Sequence, residues 1–221
     1  MVDAKSGETL VRMARGIVAS IAGCGQPMRG PGSVDEAAER SMKRSGVGRL
    51  RMRRGVFVTI KKHPEGQLRG CVGFVQPAPL WESVQKAAAL AAFGDCRFEP
   101  ISAGELGDIV FEVSVMTEPV LVEGRSAAEW RKNIRIGRDG LIISNGGYNG
   151  LLLPQVPVEQ GWDVDEFLEN LCYKAGLGLE ALSGSDTMLM KFRCQAFAEV
   201  EPRGRVVEVK FARRTEPKKL R

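Results

Sequence analysis

An arginine and a cysteine two positions apart are the residues of this chain best placed to do chemistry. They lie in Gln67-Leu68-Arg69-Gly70-Cys71-Val72-Gly73-Phe74. The pattern predicts a strand, entered by a hairpin after Val56-Phe57-Val58-Thr59-Ile60. Alternate side chains of a strand face opposite sides. Leu68, Val72 and Phe74 therefore share one face, and Arg69 and Cys71 the other. The two lie roughly 6.5–7 Å apart along the strand, a range at which a guanidinium favours the thiolate over the thiol. Gly70 and Gly73 weaken a strand, which implies a bulge or a close approach to the backbone. Two readings stand. In one, Cys71 is a nucleophile in a small-ligand site with Arg69, Gly70 and Gly73. In the other, Cys71 is a small hydrophobe in a core strand and Arg69 belongs to a structural ion pair.

Other residues extend the first reading. Glu112 sits between Phe111 and Val113 in an alternating run, Ile109 to Met116. A carboxylate in such a strand needs a partner, and Arg69 and Arg97 are the candidates. It then serves either as a general base or as half of a structural ion pair. Asp95 and Arg97 occupy a charged connection, Asp95-Cys96-Arg97-Phe98-Glu99-Pro100. Lys174 falls near a helix end, where a cation suits the dipole, and Gln155 follows Pro154. His63, the only histidine, lies at the hairpin tip. At about 3.3 Å per residue that is well over 10 Å from Cys71, so no Cys–His dyad is expected. With one histidine and no CxxC pair, no zinc or iron site built from this chain alone is expected. Neither a P-loop nor a dinucleotide fingerprint is present, and no cofactor is specified.

The elements that must position these groups are legible in outline. Leu10, Met13, Ala14, Ile17, Val18 and Ile21 mark an amphipathic first helix, and Ser33 with Glu36 forms a capping box for a second. A small-sided helix around Leu80, Val84, Ala87, Ala88 and Ala91 follows the Cys71 strand and ends at Gly94. Ser126 with Glu129 predicts a capped helix around Trp130. Ile134–Ile136 and Leu141–Ile143 read as a hairpin. Asp163 with Glu166 caps a helix through Ala175, with Gly176 at its C′ position. Met190 to Val200 alternates as one strand, and Val206 to Val209 as another. Strands and helices mix without a regular βαβ rhythm. The fold class is α+β: a mixed, largely antiparallel sheet flanked by helices.

The chain has 221 residues and is 43% hydrophobic, ordinary for a protein with a real core. No apolar run reaches membrane-spanning length. Five widely spread cysteines argue for a reducing, cytoplasmic setting. The net charge of +5 is uneven: residues 40–54 carry seven basic residues and no acid, and residues 203–221 a net +6, leaving the rest at −8. A basic loop and a basic tail can hold phosphates or can simply be solvated.

Leu68-Arg69-Gly70-Cys71-Val72-Gly73, Asp95-Cys96-Arg97-Phe98, Glu112-Val113-Ser114-Val115, Leu152-Leu153-Pro154-Gln155-Val156 and Lys174-Ala175-Gly176-Leu177 resemble, in order and spacing, the AMMECR domain family. That family is named for a human chromosomal region whose deletion gives Alport features, midface hypoplasia and elliptocytosis. The likeness runs from about residue 8 to 200 and is strongest to archaeal and bacterial members, with Cys96 where many members have proline. It implies a single domain over residues 1–211, made of a large and a small subdomain, with 212–221 as a basic tail. It also implies linkage with Memo-type and radical S-adenosylmethionine proteins, and raises the weight of a Cys71 site.

Two function classes follow. One is an enzyme or enzyme-system subunit, with Cys71 and Glu112 as catalytic groups and Arg69, Gly70, Gly73, Asp95, Arg97, Gln155 and Lys174 as ligand-binding groups. The other is an RNA-binding or protein-interaction scaffold using loop 40–54 and the tail. Residues 212–221 hold five basic residues, one acid and a single large apolar residue, Leu220. Such a segment buries too little to offset its ordering entropy. Ending the chain at Phe211 is expected to leave the melting temperature nearly unchanged while weakening polyanion binding. A large drop in melting temperature would show that the tail packs on the body.

Overall fold

A computed structural model describes residues 2–24, 48–184 and 186–211. The helix expected from Ser33 and Glu36, residues 40–47 of the basic loop, and the tail from residue 212 lie outside the described residues. The chain divides into two compact units, Met1–Met116 with Gln195–Val209, and Thr117–Cys194 with Lys210–Arg221.

The first unit holds a five-stranded sheet, β1 (Arg53–Lys62), β2 (Leu68–Pro79), β3 (Ile109–Met116), β8 (Cys194–Glu199) and β9 (Val206–Val209), in the order β2-β1-β3-β8-β9. β1 runs antiparallel to both β2 and β3. Helices α1 (Ala4–Cys24) and α2 (Leu80–Phe93) cover one face. Val56, Val58, Ile60, Phe111 and Val113 from that face pack with Leu10, Ala14, Val84, Ala87 and Ala88 into one core.

Two contacts hold the helices down. Arg15 of α1 is buried and reaches Glu199 on β8, donating from Nε to Oε1 at 2.7 Å and from Nη2 to Oε2 at 2.5 Å. Its remaining donors go to the Leu106 and Ile109 carbonyls, and Glu199 also accepts the Phe111 N–H at 3.1 Å. Both buried charges thus have several partners, as burial requires. Helix α2 instead comes down onto β2 through backbone. A Cβ on Gly70 would lie 2.0 Å from the Ala91 carbonyl oxygen, which supplies the close approach that the sequence implied.

The second unit holds a four-stranded sheet, β4 (Val120–Leu121), β5 (Gly140–Asn145), β6 (Tyr148–Leu152) and β7 (Met188–Phe192), in the order β4-β7-β5-β6. Its helices are α3 (Ala127–Asn133), α4 (Val156–Gln160) and α5 (Val164–Ala175). Trp130, Leu141, Ile143, Phe167, Leu168, Leu171 and Cys172 form its core. At α5, Asp163 accepts the Asp165 and Glu166 N–H groups, Glu166 returns the bond, and Gly176 takes the left-handed conformation with φ 72°.

Three local expectations change. Ile134–Ile136 is not a strand. The Asp139 carboxylate accepts the Arg135 N–H at 2.9 Å and closes the segment as a turn. β5 pairs instead with β6 and β7, the former across Gly146 and Gly147, whose φ values of 55° and 89° meet the demands of a tight hairpin. The alternating run from Met190 to Val200 breaks at Arg193 into two strands that join different sheets. Ser126 takes the N-cap position of α3 without a side-chain cap, and the Glu129 carboxylate accepts the Arg125 N–H at 2.7 Å rather than that of Ser126.

Gly70→Ala is expected to lower stability by about 1–3 kcal/mol or more, since helix backbone must move. Gly16→Ala, mid-helix with nothing near its Cβ position, is expected to raise stability by about 0.5–1 kcal/mol. Denaturant midpoints of the two variants decide, and equal effects would contradict the close approach.

Candidate functional site

Strand β2 is the outer edge of its sheet. Its inner neighbour places Thr59 opposite Cys71. An edge strand presents unpaired N–H and C=O groups outward, and at Cys71 both are occupied. The Cys71 N–H donates to Asp95 Oδ2 at 2.9 Å, and the Cys71 carbonyl accepts from Arg97 Nη2 at 3.4 Å. Asp95 and Arg97 also bind each other through two side-chain hydrogen bonds of 2.9 and 2.6 Å. The loop reaches this position because α2 stops at Phe93. A tight turn then follows, closed by the Phe98 N–H on the Asp95 carbonyl at 3.0 Å.

The hydrogen bond from Arg97 lowers the Asp95 carboxyl from 3.8 to about 2, helped by the Cys71 N–H and opposed by burial. A depressed carboxylate contributes stability that is present above its unfolded pKa and is lost as pH falls through the folded one. Here that window runs from about pH 4 down to about 2. The Arg97 pKa is raised, chiefly by Asp95 and further by the charges of Cys71 and Cys96.

The side-chain neighbours of Cys71 lie across the sheet. Its Sγ is 3.3 Å from Thr59 Oγ1, and Thr59 is in turn opposite Glu112 on β3. Cys71, Thr59 and Glu112 thus form one cross-strand row. Around it, Ser114 Oγ donates to Glu112 Oε1 at 3.4 Å, and Lys61 Nζ lies 3.5 Å from Glu112 Oε2. Thr59, Glu112 and Ser114 are buried, and Cys71 is half-buried. At Gly73 a Cβ would lie 2.2 Å from the Phe57 ring, so the absent side chain lets Phe57 lie over the strand.

Several expected partnerships are replaced. Arg69 is buried and turns to Glu105, donating from Nε at 2.8 Å and from Nη2 at 3.3 Å, which lowers the Glu105 pKa. The guanidinium bonded to the backbone of Cys71 belongs to Arg97. Glu112 pairs with a lysine, Lys61, rather than with either expected arginine, because both arginines have their own carboxylates. Phe98 receives both guanidiniums on its ring, Arg97 at 5.4 Å and Arg69 at 5.9 Å. Gln155 and Lys174 belong to the second unit. Gln155 is buried at the start of α4, and Lys174 is exposed in the last turn of α5.

A family model described as AMMECR1 matches residues 11–197. The chain belongs to the AMMECR1 family. It is 44% identical over 205 residues to a protein of Thermococcus onnurineus, covering 90% of this chain and 93% of that one. Protein MJ0810 of Methanocaldococcus jannaschii is 48% identical over 160 residues, covering 72% and 80%. The crystal structure of protein PH0010 from Pyrococcus horikoshii superposes with a TM-score of 0.80 at 40% identity, covering 95% of this chain and 98% of that one. The α+β architecture is therefore that of an AMMECR1-family structure.

Within this AMMECR1 domain, sequence reasoning missed Thr59, Lys61, Glu105 and Ser114. Thr59 alone left a signal, as the one polar residue in the run Val56–Ile60; the others depend on cross-strand register or on tertiary packing. Cys172, by contrast, is fully buried, and desolvation pushes its thiol pKa up. In brief alkylation of native protein, Cys71 is expected to label before Cys172. Mass mapping that found Cys172 labelled first, or both equally, would refute this.

Proposed function

We propose that this AMMECR1-family protein is an enzyme or enzyme-system subunit in which Cys71 acts as a nucleophile toward a small ligand. In this reading Glu112 takes the Cys71 proton through the Thr59 hydroxyl. Asp95 and Arg97 are positioning residues that hold the Cys71 backbone rather than the ligand. The observation that carries the reading is the row Cys71–Thr59–Glu112, with Sγ 3.3 Å from Thr59 Oγ1. Buried polar groups in a sheet require partners, and the Thr59 hydroxyl that meets the thiol sits on the strand position opposite Glu112. Activation of a nucleophile by a nearby base, held by a third group, is the general pattern of covalent catalysis. The family's linkage with Memo-type and radical S-adenosylmethionine proteins fits the subunit form, in which a partner completes the site.

A second reading, an RNA or partner scaffold, is supported by a different observation. Exposed Arg138 pairs with buried Asp139 at 2.8 Å, and exposed Arg193 lies 4.0 Å from the same carboxylate. Nearby, the Phe211 carbonyl lies 2.6 Å from the Cβ position of Gly137. That brings the last described residue before the basic tail close to an arginine-rich surface.

The first reading is tested by the pH profile of Cys71 alkylation. Thr59→Val and Glu112→Gln are each expected to slow labelling at neutral pH by roughly tenfold, as a rise of about one unit in the thiol pKa would. Circular dichroism confirms that the variants are folded. Unchanged profiles in folded variants would sink the relay.

A further inference from the structure

We infer that Cys96 is the resolving thiol for Cys71, so that a hydroperoxide converts the two into a reversible disulfide. The inference rests on the reading of Cys71 as a reactive thiol and adds a second residue to its chemistry. The geometry comes from the loop clamp. Asp95 accepts the Cys71 N–H at 2.9 Å, and Arg97 donates to the Cys71 carbonyl at 3.4 Å. The residue between these two clamping residues is Cys96, so it is tied to the edge strand at the position of Cys71 from both sides. Cys96 is exposed and Cys71 half-buried, so a small oxidant and then a reductant have access. Arg97 lies in the field of both sulfurs, whose charges contribute to its raised pKa.

The steps balance. The Cys71 thiolate attacks the terminal oxygen of the hydroperoxide, an S–O bond forms, the O–O bond breaks, and an alcohol or water leaves after protonation. Cys71 is then a sulfenic acid, oxidised by two electrons. The Cys96 thiolate attacks that sulfur, the S–S bond forms, the S–O bond breaks, and hydroxide leaves as water with one proton. An external dithiol restores both thiols by exchange. A disulfide needs its Cα atoms about 4.4–6.8 Å apart. Closing it draws the turn onto the strand edge and displaces the Asp95 carboxylate from the Cys71 N–H. Cys172 is sealed in the second core and is not a competing partner.

The experiment treats the folded, reduced full chain with one equivalent of hydrogen peroxide and maps the products by non-reducing peptide mass spectrometry, with and without dimedone. The expected product in the wild type is one linked peptide pair containing Cys71 and Cys96, removed by dithiothreitol. In Cys96→Ser, an exposed and conservative change, the pair is absent and the dimedone adduct on Cys71 rises several-fold. A wild-type Cys71 that collects dimedone while Cys96 stays free, or that bridges to another cysteine, overturns the inference and leaves the reactive thiol standing. Absence of any adduct on Cys71 in Cys96→Ser, together with no bridge in the wild type, overturns both.

Discussion

Helix α2 meets strand β2 at a distance only glycine permits, and the candidate site depends on that contact. With the Ala91 carbonyl 2.0 Å from where a Gly70 Cβ would sit, the last turn of the helix lies on the strand immediately before Cys71. The helix then ends, and the next few residues need only one tight turn to bring Asp95 and Arg97 to the Cys71 backbone. A side chain at residue 70 would hold the helix off by the thickness of a methyl group, beyond the reach of a carboxylate as short as that of aspartate. The glycine and the Asp-Cys-Arg-Phe segment are thus two halves of one device, although Asp95 lies 24 positions beyond Cys71.

The clamp also answers a general hazard. The outer edge of β2 would otherwise offer a free N–H and C=O to any extended chain. Here a carboxylate and a guanidinium imitate a neighbouring strand at that point, and each neutralises the other's charge. The depressed Asp95 pKa keeps the arrangement intact across the physiological pH range. The Cys71 backbone is thereby held without another strand. A held backbone suits the reactive Cys71 proposed above, since small misplacements at a reacting centre are expensive.

The two faces of the sheet divide the work. One face, with Val56, Val58, Ile60, Phe111 and Val113, meets α1 and α2 and forms the core. The row Cys71, Thr59, Glu112 comes from the alternate positions of the same three strands, with Lys61 and Ser114 on Glu112. Because the side-chain period of a strand is two, a one-residue slip would exchange the faces. The apolar core therefore enforces the register that aligns the polar row. On the helix side, the buried Arg15–Glu199 pair carries its own hydrogen bonds and does not compete for the groups around Cys71.

Alternation, capping and composition determined a good deal here: the α+β class, the Cys71 strand and its hairpin, the opposite-facing Val72 and Cys71, and the Asp163–Glu166 cap; the ordered motifs carried the likeness to the AMMECR domain. These are local properties, written within a few residues of where they act. Other features were decided only by tertiary structure. Arg69 lies two positions from Cys71 and Arg97 twenty-six, so spacing alone favours Arg69 as its neighbour. Which one meets the Cys71 carbonyl depends on where the loop after α2 lands, and Glu105 captures the other. Glu112 signalled that it needed a cation, but strand pairing brought Lys61 to it. The Met190–Val200 pattern is continuous in sequence, yet Arg193 separates strands of two sheets. Periodicity reports which side a residue faces. It carries no information about which distant backbone arrives there, and the polar partners of a buried site are supplied by those arrivals.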